Sequence, residues 1–288
     1  MKLQPQTHAE ECASWLAARA TASLIDEARL SPKPGLVDSR GNGAHRDLSL
    51  ALMERSAHSL TPTFHQLALQ SWLRPVDIAL RETVGRLGRE GERAMMQATG
   101  GVNTHRGAIW ALGLLVSASA MLGAGASSHQ VARRAAMLAQ LPDSAAPRVF
   151  SNGLRATHRY RVPGAREEAT SGFPHIMTRA LPQLRQSRAR GSRECEARLD
   201  ALMAVMTSLS DTCVLNRAGM PGLEAMQNGA RAVLAAGGCA TVPGRQALAR
   251  LDDRMLALNA SPGGAADLLA ATLFLDSISN PQVAQLPN

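Results

Sequence analysis

The sequence predicts an all-α fold, and two features carry that prediction: the composition and the spacing of the apolar residues. Alanine and leucine are abundant in this chain of 288 residues, which is 45% hydrophobic but only 3% aromatic. Ala and Leu favour helices, whereas β-sheets depend on aromatic and β-branched residues. Apolar residues recur with the period of a helix, and no stretch alternates as a strand does. We therefore expect a single multi-helix, bundle-like domain over residues 1–288.

The order of the predicted helices follows from the residues that start and stop them. Helical spacing over 15–28 is interrupted over 31–47, where two prolines and three glycines forbid a continuous helix. Further helices are predicted over 47–60, 61–72, 75–98, 107–126, 127–140, 147–159, 174–188, 193–210, 220–236, 243–258 and 263–277. The expected N-caps include Asp47, Thr61, Thr104 and Ser261.

One predicted helix, over 107–126, has no charged residue and is long enough to cross a membrane. It is rich in Gly, Ala and Ser rather than in Leu and Ile, and it lacks the aromatic belt of a membrane span. A helix that is apolar on all sides is also what the centre of a helical bundle requires. We therefore predict one central apolar helix, and we reject the alternative of a membrane-associated protein.

The net charge of +8 raises the alternative of a nucleic-acid-binding protein. Apart from Lys2 and Lys33, the Lys and Arg residues are all arginines, which indicates a compositional preference. Such a protein would also need aromatic side chains for stacking beside its basic surface, and the Arg-rich stretch 185–193 has none. We therefore expect no nucleic-acid partner.

The cysteines also bear on the cellular compartment. Cys12, Cys195, Cys213 and Cys239 are scattered and form neither a C-x-x-C pair nor a zinc-binding spacing. We interpret them as buried free thiols in a reducing compartment. The polar N-terminal residues show no signal peptide. Together these features predict a cytoplasmic protein.

Side chains capable of catalysis or ion binding concentrate in five predicted interhelical loops, over 31–47, 99–106, 161–174, 211–222 and 259–267. Loops held by a rigid scaffold commonly carry function. We therefore expect the functional residues in these loops rather than on helix faces.

The first loop contains Lys33, Asp38, His45 and Asp47. Lys33 could bind a phosphate oxygen, and two carboxylates with an imidazole could bind Mg²⁺ or transfer a proton. The structural alternative is a loop shaped by proline and glycine, in which Asp47 only begins the next helix. The residues alone leave both interpretations open.

The second loop places Asn103, His105 and Arg106 at the expected start of the apolar helix. The free N–H groups of a helix N-terminus attract anions, and a nearby arginine strengthens the attraction. The alternative is an ordinary helix cap with polar neighbours. Residues 261–264, Ser-Pro-Gly-Gly, begin the last predicted helix and form a second candidate anion site.

The third and fourth loops contribute Arg166, Glu168, Asp211 and Arg217. Taken alone, the Arg-Glu-Glu run of the third loop is typical of a solvated surface. The motifs of P-loop kinases, Rossmann dehydrogenases, α/β-hydrolases and zincins are absent, which excludes these classes. Basic and acidic residues with glycines at helix ends favour a polyphosphate ligand with a divalent metal.

Five segments carry a resemblance to a known family. They are SPKPGLVD with GAHRD, TGGVNTHRGAIWALG, GAREEATSGFP, DTCVLNRAG and SPGGAADLLA, which follow one another between residues 31 and 270. In sequence and order they resemble the triphosphoribosyl-dephospho-coenzyme A synthases that serve malonate decarboxylase and citrate lyase. That family is all-helical, so the resemblance implies the fold class that the composition predicts.

The resemblance implies a reaction between ATP and 3′-dephospho-CoA. The 2′-hydroxyl of dephospho-CoA attacks C1′ of the ATP ribose, adenine leaves, and the triphosphate stays attached. The product is the precursor of the prosthetic group on the carrier protein of malonate decarboxylase or citrate lyase, where a separate transferase installs it. A stand-alone chain favours the malonate decarboxylase system, and a homodimer is the candidate assembly. The rival enzyme is a helical, metal-dependent nucleotide phosphohydrolase, which would release phosphate or pyrophosphate.

The implied chemistry assigns catalytic roles to the first two loops. Displacement at the anomeric carbon of a sugar passes through a state that resembles an oxocarbenium ion. It needs a carboxylate to activate the hydroxyl or stabilise positive charge, and a proton donor for the departing base. We predict Asp38 or Asp47 in the first role and His45 or His105 in the second.

The triphosphate must be held without being cut, and Mg²⁺ is the predicted cofactor that bridges its oxygens. The predicted ligands of this ion are Glu168 and Asp211. The predicted substrate-binding residues are Lys33, Pro34, Gly35, Asn103, Arg106, Gly107, Arg166, Arg217, Ser261, Gly263 and Gly264. Because this set draws on all five loops, we expect the loops to meet at one pocket.

Overall fold

The computed structural model describes residues 5–146 and 151–279, which form thirteen α-helices and one π-helical turn and contain no strand. The helices are α1 (Pro5–Arg29), α2 (Leu50–Ser59), α3 (Thr61–Ser71), α4 (Ile78–Ala98), α5 (Arg106–Leu122), α6 (Ser128–Gln140), α7 (Asn152–Tyr160), α8 (Ala165–Thr170), α9 (Leu181–Ala189), α10 (Glu194–Met206), α11 (Thr212–Ala235), α12 (Val242–Ala257) and α13 (Gly263–Ser279). The π-helical turn, Ile176–Ala180, directly precedes α9. The prediction of an all-α fold is confirmed.

The four residues predicted as N-caps do not cap their helices. Three of them instead hydrogen-bond to side chains on other segments, at 2.6 to 2.8 Å: Thr61 to Thr21, Thr104 to Ser56 and Ser261 to His45. Asp47 precedes α2, which starts later than predicted and is capped by the Ser49 hydroxyl. Tertiary contacts therefore override the local capping preference of these side chains.

Two predicted loops contain helices. The loop 161–174 includes α8, whose first turn is closed by a 2.9 Å hydrogen bond from the Gly164 N–H to the Glu167 carboxylate. The loop 211–222 is largely helical because α11 starts at Thr212 and continues past a kink at Gly219 (φ 62°, ψ −159°). That kink accommodates the proline that follows, which a straight helix would not. Of the helix predicted over 147–159, residues 147–150 lie outside the described part of the chain.

Helix α5 is the apolar helix of the prediction, and thirteen of its 17 residues are buried. It packs against α1, α3, α4, α6 and α13. Its glycine, alanine and serine residues let these neighbours approach closely. Within residues 5–146 and 151–279, no helix is both long and apolar enough to span a membrane.

The four cysteines are free thiols, as expected, but their burial differs from the prediction. Cys239 is buried, Cys12 is partly buried, and Cys195 and Cys213 are exposed. The prediction of buried thiols is therefore wrong for Cys195 and Cys213, whose small side chains occupy solvent-facing positions near the starts of α10 and α11.

Helices α5 and α13 start side by side, which brings the second and fifth loops together. A Cβ atom at Gly107, in the first turn of α5, would lie 2.0 Å from Oδ2 of Asp267, the fifth residue of α13. The Asp267 carboxylate also accepts a hydrogen bond from the N–H of Ala108. Glycine at position 107 therefore lets a carboxyl group from one helix reach the N-terminus of the other.

Candidate active site

The second to fifth loops, or the helix ends beside them, line one pocket that encloses about 660 Å³ including its open mouth. The lining residues with polar groups or close backbone include Gly107, Glu168, His175, Asp211, Gly264 and Asp267. We call it the acidic pocket because three carboxyl side chains line it.

The first loop does not line the acidic pocket but packs against the fourth and fifth loops. Nε2 of His45 shares a 2.7 Å hydrogen bond with the Ser261 hydroxyl. The Arg217 guanidinium donates hydrogen bonds to the carbonyl oxygens of Ala44 and Asn259. Arg217 and Ser261, both predicted to bind substrate, thus connect the loops in this structure.

Pro34 and Gly35 are buried in the same junction. The Gly35 N–H donates to the Asp252 carboxylate at 2.9 Å. With φ at 67°, Gly35 also lies so close to the Ala260 carbonyl that a Cβ atom would be 2.4 Å from its oxygen. At the start of α13, Gly264 lines the acidic pocket and Gly263 does not.

Asp38 is buried and holds the turn of the first loop. Its carboxylate accepts hydrogen bonds of 2.8 Å from the backbone N–H groups of Lys33 and Arg40 and from the Arg40 guanidinium. Burial raises the pKa of Asp38, but these hydrogen bonds outweigh it and hold the pKa below its usual value. Arg40 also reaches Asp252 at 2.7 Å. The contacts of Asp38 lie within this turn, and its catalytic role stays a prediction.

Lys33 is paired inside the protein. Its Nζ donates to the carboxylate and to the carbonyl oxygen of Glu27, both at 2.5 Å, and only 2% of the Lys33 side chain is exposed. The sequence gives no signal for Glu27, because acidic residues are common near the end of an amphipathic helix. The structure therefore places the ammonium in a buried ion pair and not in the lining of the acidic pocket.

His45 and Asp47 lie at the loop junction rather than in the acidic pocket. The Asp47 side chain is 66% exposed, and its carboxylate is 3.8 Å from Nδ1 of His45. Burial and the charge of Arg217 lower the pKa of His45, against the opposing effect of Asp47. Their predicted catalytic roles stay predictions.

His105 is buried beside the start of α5. Nδ1 shares a 2.7 Å hydrogen bond with the Ser56 hydroxyl, and Nε2 has no hydrogen-bond partner among the described residues. Burial, together with the charge of Lys33, lowers the pKa of His105 to about 3. The imidazole is therefore neutral over the physiological pH range, so it does not carry the extra proton that a proton donor needs.

Because the pKa of His105 in the folded chain (about 3) lies below its value in the unfolded chain, this histidine makes stability depend on pH. The neutral imidazole contributes on the order of 4 kcal/mol to the free energy of unfolding. This contribution is fully present above about pH 6.5 and is lost as the pH falls toward 3. We expect His105→Asn to show a shallower loss of unfolding free energy than the wild type between pH 7 and pH 4. Urea titrations at several pH values measure this, and parallel pH dependences would contradict it.

Asn103 and Arg106 flank the start of α5. The Asn103 side-chain oxygen accepts the Arg106 N–H at 3.3 Å, which closes the first turn. The Arg106 guanidinium is 44% exposed and pairs with Glu92 on α4 at 3.1 Å. Glu92 lines a second cavity, so Arg106 lies beside that cavity rather than in the acidic pocket.

The second cavity is lined by Arg81, Arg89, Glu92, Asp143 and Trp110, and we call it the arginine cavity. Nη1 of Arg81 and Nη1 of Arg89 lie 3.5 and 2.7 Å from the Asp143 carboxylate. The Arg81 guanidinium is 5.4 Å from the centre of the Trp110 ring, and its Nε is buried without a hydrogen-bond partner in the described chain. Trp110 also lines the acidic pocket, so one indole separates the two spaces.

Neighbouring charges act on Arg81 in both directions. Burial lowers the pKa of Arg81, Asp143 opposes this effect, and the charges of Arg89 and Arg166 add to it. Arg166, predicted to bind substrate, is exposed on α8. Arg81 and Arg89 were missed in the sequence because they lie on helix α4 and in no recognisable motif.

Asp211 holds the starts of two helices together. Its buried carboxylate accepts the N–H groups of Cys213 (2.8 Å) and Val214 (3.2 Å) in α11 and of Ala265 (2.9 Å) in α13. Burial raises the pKa of Asp211, and these N–H groups act in the opposite direction. The candidate anion site at residues 261–264 is therefore filled by a carboxylate of the protein itself.

Glu168 is held by a single neighbour in the acidic pocket. Its two oxygens lie 2.9 Å from the His175 backbone nitrogen and 2.7 Å from His175 Nδ1. In residues 5–146 and 151–279, no group of three or more His, Cys, Asp or Glu side chains could hold a metal ion. The backbone contacts of Asp211 and the His175 contacts of Glu168 thus do not fit a protein-held metal centre. Mg²⁺ stays a prediction, as the ion that accompanies ATP.

The chain matches, over residues 13–285, the family described as "CitG: ATP:dephospho-CoA triphosphoribosyl transferase". The chain belongs to this family. A relative from Klebsiella pneumoniae, named 2-(5''-triphosphoribosyl)-3'-dephosphocoenzyme-A synthase, is 74% identical over 97% of this chain and 100% of its own length. A relative from Pseudomonas fluorescens Pf-5, named as a probable synthase of the same kind, is 59% identical over 96% of this chain and 95% of its own.

A crystal structure from Archaeoglobus fulgidus, assigned to a triphosphoribosyl-dephospho-CoA synthase, is 17% identical with a TM-score of 0.53. It covers 78% of this chain and 98% of its own, which shows a shared fold. The resemblance noted in the sequence is thus confirmed, and the protein is a transferase of the triphosphoribosyl-dephospho-CoA synthase family.

Proposed function

We propose that this synthase-family member transfers the 5-triphosphoribosyl group of ATP to the 2′-hydroxyl of 3′-dephospho-CoA and releases adenine. The observation that carries the proposal is the 74% identity to the Klebsiella synthase over 97% of this chain. The product, 2′-(5-triphosphoribosyl)-3′-dephospho-CoA, would pass to a carrier-protein transferase of the malonate decarboxylase system.

The two cavities differ in their charged side chains, so they suit different parts of the ATP substrate. The acidic pocket suits the ribose, because carboxyl groups stabilise the positive charge that develops at C1′ when adenine leaves. The triphosphate is assigned to the neighbouring arginine cavity, because the guanidinium groups of Arg81 and Arg89 line it and Arg106 pairs with Glu92 at its wall. Trp110 lines both spaces, so a nucleotide bound across it would reach both.

Mg²⁺ enters this proposal as part of the ATP substrate, and no side chain is assigned to it. Arg106, a predicted phosphate ligand, pairs with Glu92 of the arginine cavity, and the charge of Arg166, a predicted substrate-binding residue, acts on Arg81. We further propose the cytoplasm as the compartment, because exposed free thiols such as Cys195 suit a reducing environment. A homodimer remains a prediction.

The proposal is tested by incubating the purified protein with ATP, Mg²⁺ and dephospho-CoA and separating the products by chromatography. We expect adenine and the triphosphoribosyl product in equal amounts, and no adenine when dephospho-CoA is left out. Release of phosphate or pyrophosphate without adenine would instead identify a nucleotide phosphohydrolase.

A further inference from the structure

We propose that Asp267 is a catalytic residue of this synthase, the general acid that gives a proton to adenine as the bond between C1′ and N9 breaks. The inference rests on the proposed function and adds the group that acts on the leaving base. Asp267 lines the acidic pocket from near the start of α13 and faces the first turn of α5. It therefore lies where the ribose and its base are proposed to bind.

The fold makes room for this carboxyl group. The position of a Cβ atom on Gly107 would coincide with that of Asp267 Oδ2, with only 2.0 Å between them. An alanine at position 107 would therefore push the carboxyl group out of its place. Such close packing holds the carboxyl group against the start of α5, at the wall of the pocket.

Among the described residues, Asp267 lacks a cationic partner in the acidic pocket. Three aspartates elsewhere in the fold do have arginine partners: Asp38 has Arg40, Asp143 has Arg81 and Arg89, and Asp276 has Arg188. In the part of the chain that the structure describes, no Lys, Arg or His forms an ion pair with Asp267. Glu168 is held by His175, and Asp211 accepts three backbone N–H groups, whereas Asp267 accepts one, from Ala108. We therefore assign the proton transfer to Asp267.

The groups that face Asp267 come from three helices. Burial and the negative charges of Glu27 on α1 and Asp211 at the start of α11 raise its pKa well above the usual value, and the Ala108 N–H on α5 opposes them. A raised pKa favours the protonated form of the carboxyl group, which is the form that a general acid needs.

Bonds and protons balance in the proposed step. The C1′–N9 bond breaks with its electron pair moving to adenine, and the Asp267 proton is transferred to a ring nitrogen of the base. The oxygen of the 2′-hydroxyl of dephospho-CoA bonds to C1′ and releases its proton to solvent, from which Asp267 is reprotonated. One proton is thus donated and one is released in each turnover.

The test compares Asp267→Asn with the wild type on two nucleotides, ATP and an analogue methylated at N7 of adenine. The methylated base carries a positive charge and leaves without being protonated, so it does not need a general acid. We expect Asp267→Asn to release adenine from ATP about 10²- to 10⁴-fold more slowly. With the analogue, the two proteins should differ by less than about tenfold.

The matched control is Asp276→Asn, which removes a buried carboxylate from the same helix but leaves the pocket intact. It should keep wild-type turnover but be less stable, because it breaks the ion pair with Arg188. Equal losses of Asp267→Asn on ATP and on the analogue would overturn the proposal, as would full activity on ATP. A wild type that releases no adenine would refute the proposed function itself.

Should Asp267→Asn fail to fold, the pH profile of the wild type decides. Turnover of ATP should fall as the pH rises through the pKa of Asp267, whereas turnover of the methylated analogue should not. Gly107→Ala should reproduce the selective loss on ATP, because it displaces the same carboxyl group. Identical pH profiles on the two nucleotides would refute the role of Asp267.

Discussion

Replacement of Lys33 by methionine is expected to lower the free energy of unfolding by about 3–5 kcal/mol. The Lys33 and Glu27 side chains are 2% and 4% exposed and meet at 2.5 Å, so the change leaves the Glu27 charge buried without its partner. Urea denaturation followed by circular dichroism measures the loss.

The double variant Glu27→Gln/Lys33→Met should recover most of that stability, because it removes both charges together. The matched control is Arg29→Met, whose pair with Glu54 has an arginine side chain that is 57% exposed. Exposed ion pairs contribute little, so Arg29→Met should leave the denaturation midpoint almost unchanged. A Lys33→Met protein as stable as the Arg29→Met protein would show that the buried pair does not stabilise the fold.

The second large effect is expected at Asp211. Asp211→Ala should lose about 2–4 kcal/mol of unfolding free energy, because it removes the caps of two helices and leaves buried N–H groups without acceptors. The groups left unpaired belong to Cys213 and Val214 in α11 and to Ala265 in α13. Thermal and urea denaturation measure the loss.

Asp77→Ala is the control for Asp211→Ala, because Asp77 caps α4 alone, through the Leu80 N–H, and its side chain is 44% exposed. It should cost about 1 kcal/mol, as an ordinary N-cap does. If the two variants lose the same amount, the contact from Asp211 to α13 contributes nothing. Asp211→Asn should fall between them, since its amide keeps one acceptor oxygen.

The helical fold could be predicted because its signals are local. Apolar spacing places α5 almost correctly, and proline with glycine marks the first loop. Capping could not be predicted in the same way: Thr104 has the right side chain, but its partner, Ser56, comes from a distant helix. The short helix α8 was missed because six residues are too few to show a period.

The sequence indicates which loops contribute to the candidate site, but it does not indicate which side chains contact one another there. An acidic residue such as Asp267, near the start of a helix, is explained locally by the dipole of its own helix, yet its hydrogen bond comes from Ala108 on another helix. Lys33 stood out in the sequence as the only lysine beyond the N-terminus, but its partner Glu27 carries no signal of its own. Which charges meet depends on how α1, α5 and α13 pack, and a single sequence does not give that packing.

The position of Trp110 gives the protein an intrinsic optical reporter. It is one of three tryptophans in the chain, and its indole ring borders both the acidic pocket and the arginine cavity while its N–H donates to the Ala165 carbonyl. Occupancy of either space alters the polarity around this ring. Its fluorescence emission thus offers a direct way to titrate nucleotide without following turnover, in a background where Trp15 and Trp72 are replaced by phenylalanine.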